Sequence, residues 1–112
     1  MTGGLLKMVL MVGRNRNTND EATMGSISSI TNTTTVTVVP ANANRIFFCI
    51  NNDDAVTSMW VKLQAASVDN DLTGIFVPKG AAWAMPVDNV YTGEISVIAN
   101  GAAGVDVHYV EY

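Results

Sequence analysis

Residues 34–63 read TTVTVVPANANRIFFCINNDDAVTSMWVKL and contain three short apolar runs, separated by segments rich in Pro, Asn and Asp. In the first run valine alternates with threonine, and in the last run Met59 and Val61 lie on either side of Trp60. Alternation with a period of two is typical of a β-strand with one buried face, and Pro, Asn and Asp favour turns. This stretch therefore predicts three strands joined by turns.

The same pattern continues on both sides of this stretch. Strands are predicted over residues 26–30, 34–39, 45–51, 57–63, 73–77, 81–85, 94–99 and 105–111. Strand-sized runs with regular turn signals indicate an all-β sandwich or barrel, and no window shows a sustained helical period. We expect an all-β fold, a small antiparallel β-sandwich of the jelly-roll-like type. Residues 1–25 form a predicted N-terminal extended arm or linker, and residues 26–112 form the β-sandwich domain.

The alternation also predicts which side chains point inward. The expected inward set is Val36, Val38, Ile46, Phe48, Ile50, Val61, Leu63, Ile75, Val97, Val105 and Val107. Trp83 is interpreted as a core residue. The predicted strand 45–51 is apolar on both faces, because Phe47 and Cys49 alternate with that inward set. Such a strand is either central between two layers or covered by another subunit.

Composition excludes several classes of function. The chain has 112 residues, of which 48% are hydrophobic and 14% charged, and its net charge is −4. Nucleic-acid binding needs a basic face, so no nucleic-acid partner is expected. The apolar run at residues 8–12 is far shorter than a membrane span of roughly 20 residues, so no membrane partner and no secretory signal are expected. The single cysteine excludes a disulfide within the chain.

Residues suited to chemistry are few and scattered. Residues 69–71 (Asp-Asn-Asp) have the oxygen density of a calcium loop, but they lack its closing Glu and are interpreted as a polar turn. His108 is the only histidine and is predicted on an outer strand face. Cys49 lies in a hydrophobic strand, where a free thiol behaves as a small buried hydrophobe. We therefore expect no catalytic residue, no metal site and no cofactor, and the protein is not expected to be an enzyme.

From residue 34 onward the sequence resembles small structural proteins of tailed-phage virions. The resemblance is carried by PANANR (40–45), IFFCINN (46–52), GIFVPKGAAWAM (74–85) and YTGEISVIANGAAGVDVHYVEY (91–112). It implies a capsid decoration (cement) protein, or a head-fibre-like β domain, that stabilises the outer surface of the head shell. The implied partner is the major capsid protein, and the implied location is the virion head surface after synthesis in the bacterial host cytoplasm.

A different class of function remains open beside this one. The chain is alternatively a carbohydrate- or receptor-binding module of a phage fibre or tail, in which Trp60 or Trp83 stacks against a sugar while nearby Asn and Asp bind its hydroxyls. Co-purification with intact capsids favours decoration, and binding of the isolated protein to a glycan array favours the module.

Six side chains are candidate contacts to the capsid or to a neighbouring subunit. They are Leu5, Met8, Leu10, Val12, Phe47 and Trp60. Residues 1–25 carry three basic and two acidic residues, whereas the remainder carries three basic and eight acidic residues. One hypothesis is that segment 5–12 adds a strand to the sheet edge of a neighbour. The alternative is that it is an edge strand of its own domain.

A symmetric oligomer is expected as well. Phe47, Cys49 and Trp60 give more hydrophobic surface than one small sandwich readily covers. The resemblance implies a homotrimer, because decoration proteins often occupy capsid three-fold positions.

Overall fold

The computed structural model describes residues 22–67 and 71–112, and within them it contains eight strands and no helix. The strands are β1 (Thr23–Ile30), β2 (Val36–Val39), β3 (Phe48–Asn52), β4 (Met59–Lys62), β5 (Ile75–Val77), β6 (Ala82–Ala84), β7 (Ile95–Ala99) and β8 (Val105–Glu111). The all-β prediction is confirmed. The candidate contacts Leu5, Met8, Leu10 and Val12 lie outside the described residues.

The strands form two four-stranded antiparallel sheets. The first sheet has the order β1-β8-β3-β6 and the second has the order β2-β7-β4-β5. Within these sheets β1 pairs with β8, β2 with β7, β3 with β6 and β4 with β5. The chain is thus a long antiparallel ribbon, closed by the β4–β5 connection and rolled so that β3 lies beside β8 and β4 beside β7. Eight strands rolled in this way form a jelly roll, as the sequence predicts.

The core lies between the inner faces of the two sheets. It contains Ile30, Val38, Val39, Phe48, Ile50, Met59, Val61, Val77, Met85, Ile95, Val97, Ala99, Val105 and Val107. Most of the expected inward set is found here, and Val36 and Ile75 pack against this cluster as partly buried side chains. Burial of large apolar side chains contributes about 1.5–3 kcal/mol each, so this core is the main source of stability.

Two residues of the expected inward set are exposed instead. Ile46 is 45% exposed and Leu63 is 38% exposed. Ile46 precedes β3 and Leu63 follows β4, so neither lies inside the regular strand where the alternation of faces applies. The predictions failed because the strands are shorter than the apolar runs that contain them.

β3 begins late because the residues before it form a turn that ends in a buried arginine. The backbone N–H of Arg45 donates to the carbonyl of Asn42. The Arg45 side chain is buried, and its Nε donates to Glu111 Oε2 at 2.6 Å. Its Nη1 donates to the carbonyls of Tyr91 and Gly93, and its Nη2 donates to the carbonyl of Pro40. Arg45 therefore links the segment after β2, the segment before β7 and the end of β8.

Part of the outer face of the second sheet is covered by the chain that follows β4. The Ser96 hydroxyl, buried on that face, donates to the carbonyl of Gln64. The Thr35 hydroxyl donates to the carbonyl of Ser67 at 2.8 Å. Lys62 is buried here too, and its Nζ donates to Thr73 Oγ1 at 3.3 Å. The second sheet is thus packed on both sides near β7.

Candidate interaction surface

The outer face of the first sheet carries a row of apolar side chains, one from each strand. Met24 is paired with Val110, Val110 with Cys49, and Cys49 with Ala84. These four side chains point away from the core, because their neighbours Phe48 and Ile50 point into it. Met24 is 74% exposed, Ala84 is exposed, and Cys49 and Val110 are half-buried. We name these four residues the apolar row.

A groove of about 330 Å³ lies beside three members of the apolar row, Met24, Cys49 and Val110. Gly25 and Ala82 also line it, and so do Asn51 and His108 toward the polar end of this face. A groove of this volume is at the lower end of the range of ligand pockets, about 300–1,000 Å³. It is partly open rather than an enclosed cavity, so a segment of chain could lie in it from the surface.

Gly25 in β1 leaves room for the side chain of Tyr109, its partner in the neighbouring strand β8. A Cβ at this position would stand 2.6 Å from the phenolic oxygen of Tyr109. The Tyr109 ring in turn stacks on Phe48, with ring centroids 6.3 Å apart. Glycine thus allows the Tyr109 ring to lie beside β1.

Phe47, a predicted contact residue, extends the apolar surface at one end of this face. It is half-buried, and its ring centroid lies 6.1 Å from that of Tyr112, which is 49% exposed. The backbone N–H of Tyr112 donates to the carbonyl of Phe47. The two aromatic rings therefore adjoin the apolar row.

The opposite end of the same face is polar. His108 Nε2 lies 3.2 Å from Asp53 Oδ2, and both side chains are more than half exposed. The Asp106 carboxylate accepts a hydrogen bond from the backbone N–H of Ser29 at 3.1 Å. His108 is on the outer strand face, as predicted. This exposed contact lies at the border of the groove, which His108 also lines.

Trp60, the other predicted aromatic contact, lies on the second sheet, away from Phe47. It is half-buried, and its ring centroid is 4.9 Å from that of Phe76. Its Nε1 is buried, and no acceptor among the described residues bonds to it. Phe76 is 48% exposed. We name Trp60 and Phe76 the aromatic pair.

Trp83 packs toward the interior. It is partly buried against the core cluster, and its ring centroid lies 6.4 Å from that of Phe48. This packing reduces the ring surface that Trp83 can offer to a ligand. This agrees with the interpretation of Trp83 as a core residue.

Two carboxylates have pKa values below their ordinary values because of local hydrogen bonds. The hydroxyl of Thr37 and the backbone N–H of Ala66 donate to Glu94, and these bonds lower its pKa. The backbone N–H groups of Thr57 and Val56 donate to Asp54 and lower its pKa. Both carboxylates act as caps that hold connections between strands.

Groups suited to catalysis or metal binding are dispersed. Among residues 22–67 and 71–112, no three His, Cys, Asp or Glu side chains lie together in a group that could hold a metal ion. The predicted polar turn at 69–71 falls largely outside the described residues. Cys49 lies in the groove, half-buried among apolar neighbours. The two surfaces, apolar and aromatic, are suited to contact with another chain segment.

The sequence pattern selects Phe47 and Trp60 as candidate contacts, a role that stays a prediction, but it does not reveal the apolar row. Met24, Val110 and Ala84 are far apart in the sequence, and only strand register brings them together. Alternation in the predicted strands 105–111 and 45–51 does place Val110 and Cys49 outward, and these are the local signals for this surface.

No protein-family model, curated protein or solved structure matches the chain. In the part of the chain that the structure describes, there is no helix of the length and hydropathy that a membrane span requires.

Proposed function

We propose that this protein is a capsid decoration (cement) protein of a tailed phage, which binds the major capsid protein on the outer surface of the head. The observation that carries the proposal is the jelly roll itself, since this architecture recurs in viral capsid domains. The phage-like motifs supply the second support. They coincide with the turn before β3, with the β5–β6 connection and with β7 and β8.

The aromatic pair is the proposed contact with the capsid or with a neighbouring copy. Phe76 is 48% exposed on strand β5, which lies at the edge of the second sheet. Aromatic residues are enriched in protein interfaces because they bury a large area with little loss of conformational freedom. Trp60 supports Phe76 from the neighbouring strand, with the two rings in contact. About half of the Phe76 side chain remains exposed beside this contact.

The second candidate is a carbohydrate- or receptor-binding module, because jelly rolls also form lectin domains. A sugar platform needs an aromatic ring with one free face. Trp83 packs against Phe48, and Trp60 packs against Phe76. These contacts favour the decoration role over the sugar-binding role.

The experiment that tests the proposal is binding of the purified full chain to phage heads prepared without it, measured by co-sedimentation. Heads should come from phage induced in the organism that encodes the chain. We expect saturable binding to the head surface, which Phe76→Lys weakens. Val87→Lys is the matched control, because Val87 is an apolar residue that is 80% exposed outside the aromatic pair.

Three results would contradict the proposal. The first is an absence of binding to heads by the unmodified chain. The second is location of the protein on tails or fibres in electron micrographs of labelled particles. The third is selective binding to a glycan array that a single free sugar inhibits, which would establish the second candidate.

A further inference from the structure

The apolar row has no covering partner among residues 22–67 and 71–112. Four strands spaced about 4.8 Å apart make this face about 15 Å wide. A standard interface between two folded proteins buries about 800 Å² on each side. The apolar part of this face is one row of four residues with Phe47 and Tyr112 at its end, and beyond Ser26 and Asn51 it becomes charged. It is therefore wide enough for one extended segment but small for a second domain.

The position at which the chain enters the described domain identifies a segment that can cover this face. β1 begins at Thr23 on the edge of the first sheet, and Met24 of the apolar row follows directly. The 21 residues before Ala22 include the apolar run at 5–12, LLKMVLMV, joined by a polar connection at 13–21. A connection of nine residues can span about 30 Å when extended, which is about twice the width of the sheet.

We propose that residues 5–12 pack along the groove of their own domain and cover the apolar row. In an extended segment Met8, Leu10 and Val12 share one face, and Lys7 lies on the other. Leu, Met and Val side chains match the apolar lining of the groove, and methionine adapts to an irregular surface. The short polar connection keeps the segment at a high effective concentration near its own groove, which favours this occupant over the same segment of another copy.

This inference does not depend on the proposed function. It concerns the unassembled protein and identifies the occupant of one surface. It also separates the two alternatives for segment 5–12, because contact with its own domain excludes an arm that is permanently bound to a neighbour.

The reactivity of the Cys49 thiol can show whether the segment covers the groove, because Cys49 lies in the groove and is the only cysteine of the chain. We expect the Cys49 thiol of the full chain to react slowly with a soluble disulfide reagent. The double variant Met8→Asp/Leu10→Asp should react about tenfold faster, as expected if the segment covers the thiol about nine-tenths of the time. The matched control Asn15→Asp/Asn17→Asp changes charge equally in the polar connection and should react as the unmodified chain does.

The thermal melt of each variant establishes that the domain is folded before the thiol is assayed. Equal reaction rates in the unmodified chain and in Met8→Asp/Leu10→Asp would overturn the proposal. A slow rate in the unmodified chain that increases on dilution would also overturn it, because the cover would then be another copy.

Cross-linking measures the contact directly. Single variants Met8→Cys, Leu10→Cys and Val12→Cys each pair one new thiol with Cys49 under mild oxidation. We expect at least one of them to form an intramolecular disulfide, detected as a monomer of altered electrophoretic mobility, whereas Asn17→Cys forms it slowly. A covalent dimer as the main product, or no cross-link in any of the three variants, would overturn the proposal.

Discussion

Arg45 lies where the turn before β3, the connection before β7 and the end of β8 meet. Its side chain is fully buried and bonds to Glu111 and to three backbone carbonyls. We expect Arg45→Met to lower the free energy of unfolding by about 3–5 kcal/mol, because it leaves the Glu111 carboxylate without its partner in a mostly buried site. Urea unfolding monitored by tryptophan fluorescence measures the change.

Two further variants belong to this test: Arg45→Lys keeps the charge, and Lys79→Met is the control. Lysine keeps the positive charge, but its ammonium group cannot donate to all four acceptors as the planar guanidinium does. A substantial part of the loss in unfolding free energy should therefore remain in Arg45→Lys. Lys79 is exposed, and its replacement should change stability by less than about 0.5 kcal/mol. An Arg45→Met protein as stable as Lys79→Met would show that the buried ion pair contributes nothing net.

Glu94 and Asp54 predict how stability depends on pH. Hydrogen bonds from Thr37 and Ala66 lower the pKa of Glu94 from its ordinary value of 4.5. Those from Thr57 and Val56 lower the pKa of Asp54 from 3.8. A carboxylate with a lowered pKa in the folded state stabilises the fold above its unfolded pKa. That contribution is lost as the pH falls through the lowered value. We therefore expect stability to decrease on acidification below pH 4.5.

Thr37→Val isolates the Glu94 contribution, since it removes the hydroxyl that donates at 2.6 Å. The variant should be less stable than the unmodified chain at neutral pH, and the difference should shrink in acid. Thr92→Val, at an exposed position, is the control. Urea unfolding at about pH 6 and about pH 3 measures both. An equal loss at the two pH values would contradict the assignment to the carboxylate.

At the scale of the element, Gly74 permits β5 to pair with β4. Its φ is +127°, and a Cβ there would stand 2.5 Å from the carbonyl oxygen of Val61. Gly80 also has a positive φ, +70°, but a Cβ there would meet nothing within 4 Å. Gly80→Ala should cost about 1 kcal/mol from backbone strain alone. Gly74→Ala should cost about 2–3 kcal/mol, because strain and a backbone clash act together. Thermal unfolding compares the two, and equal costs would contradict the clash.

The positions of the strands could be predicted from the sequence because their signals are local. Alternation and turn residues lie within a few positions of each other, and the predicted strand 105–111 coincides with β8. The ends of other strands depend on distant contacts. β3 begins at Phe48 rather than at Arg45, because Arg45 is held by Glu111, which is 66 positions away in the sequence. No local pattern contains that contact.

The residues of the candidate surfaces likewise divide into those that a local sequence pattern predicts and those that only distant strand pairing brings together. Phe47 and Trp60 could be selected as aromatic residues on predicted strands. The apolar row could not, because Met24 and Val110 are neighbours only through the register of β1 with β8. The burial of Lys62 could not be predicted either. A lysine next to Trp60 on a predicted strand is expected to face solvent, but the chain after β4 covers it.

At the scale of the whole molecule, we expect a homotrimer or a comparable symmetric oligomer in which the aromatic pair takes part. Sedimentation equilibrium at tens of micromolar protein should show association, because an oligomer of about micromolar affinity persists at that concentration. Phe76→Lys should shift the distribution to monomer while the thermal melt is retained, and Val87→Lys should not. A monomer in the unmodified chain would contradict the prediction.

The pairing of β1 with β8 has a consequence for how the protein is made. Strand β1 is followed by more than 70 residues before its partner begins at Val105. During translation β1 therefore leaves the ribosome with no partner, while β4 and β5 are the first strands able to pair with each other. From this topology we expect closure to proceed outward from that hairpin and to end with the pairing of β8. Chains dominated by such distant pairings fold in milliseconds to seconds. We expect the sheet edges to be open during that interval, so that nascent copies can pair with one another until the ribbon has closed.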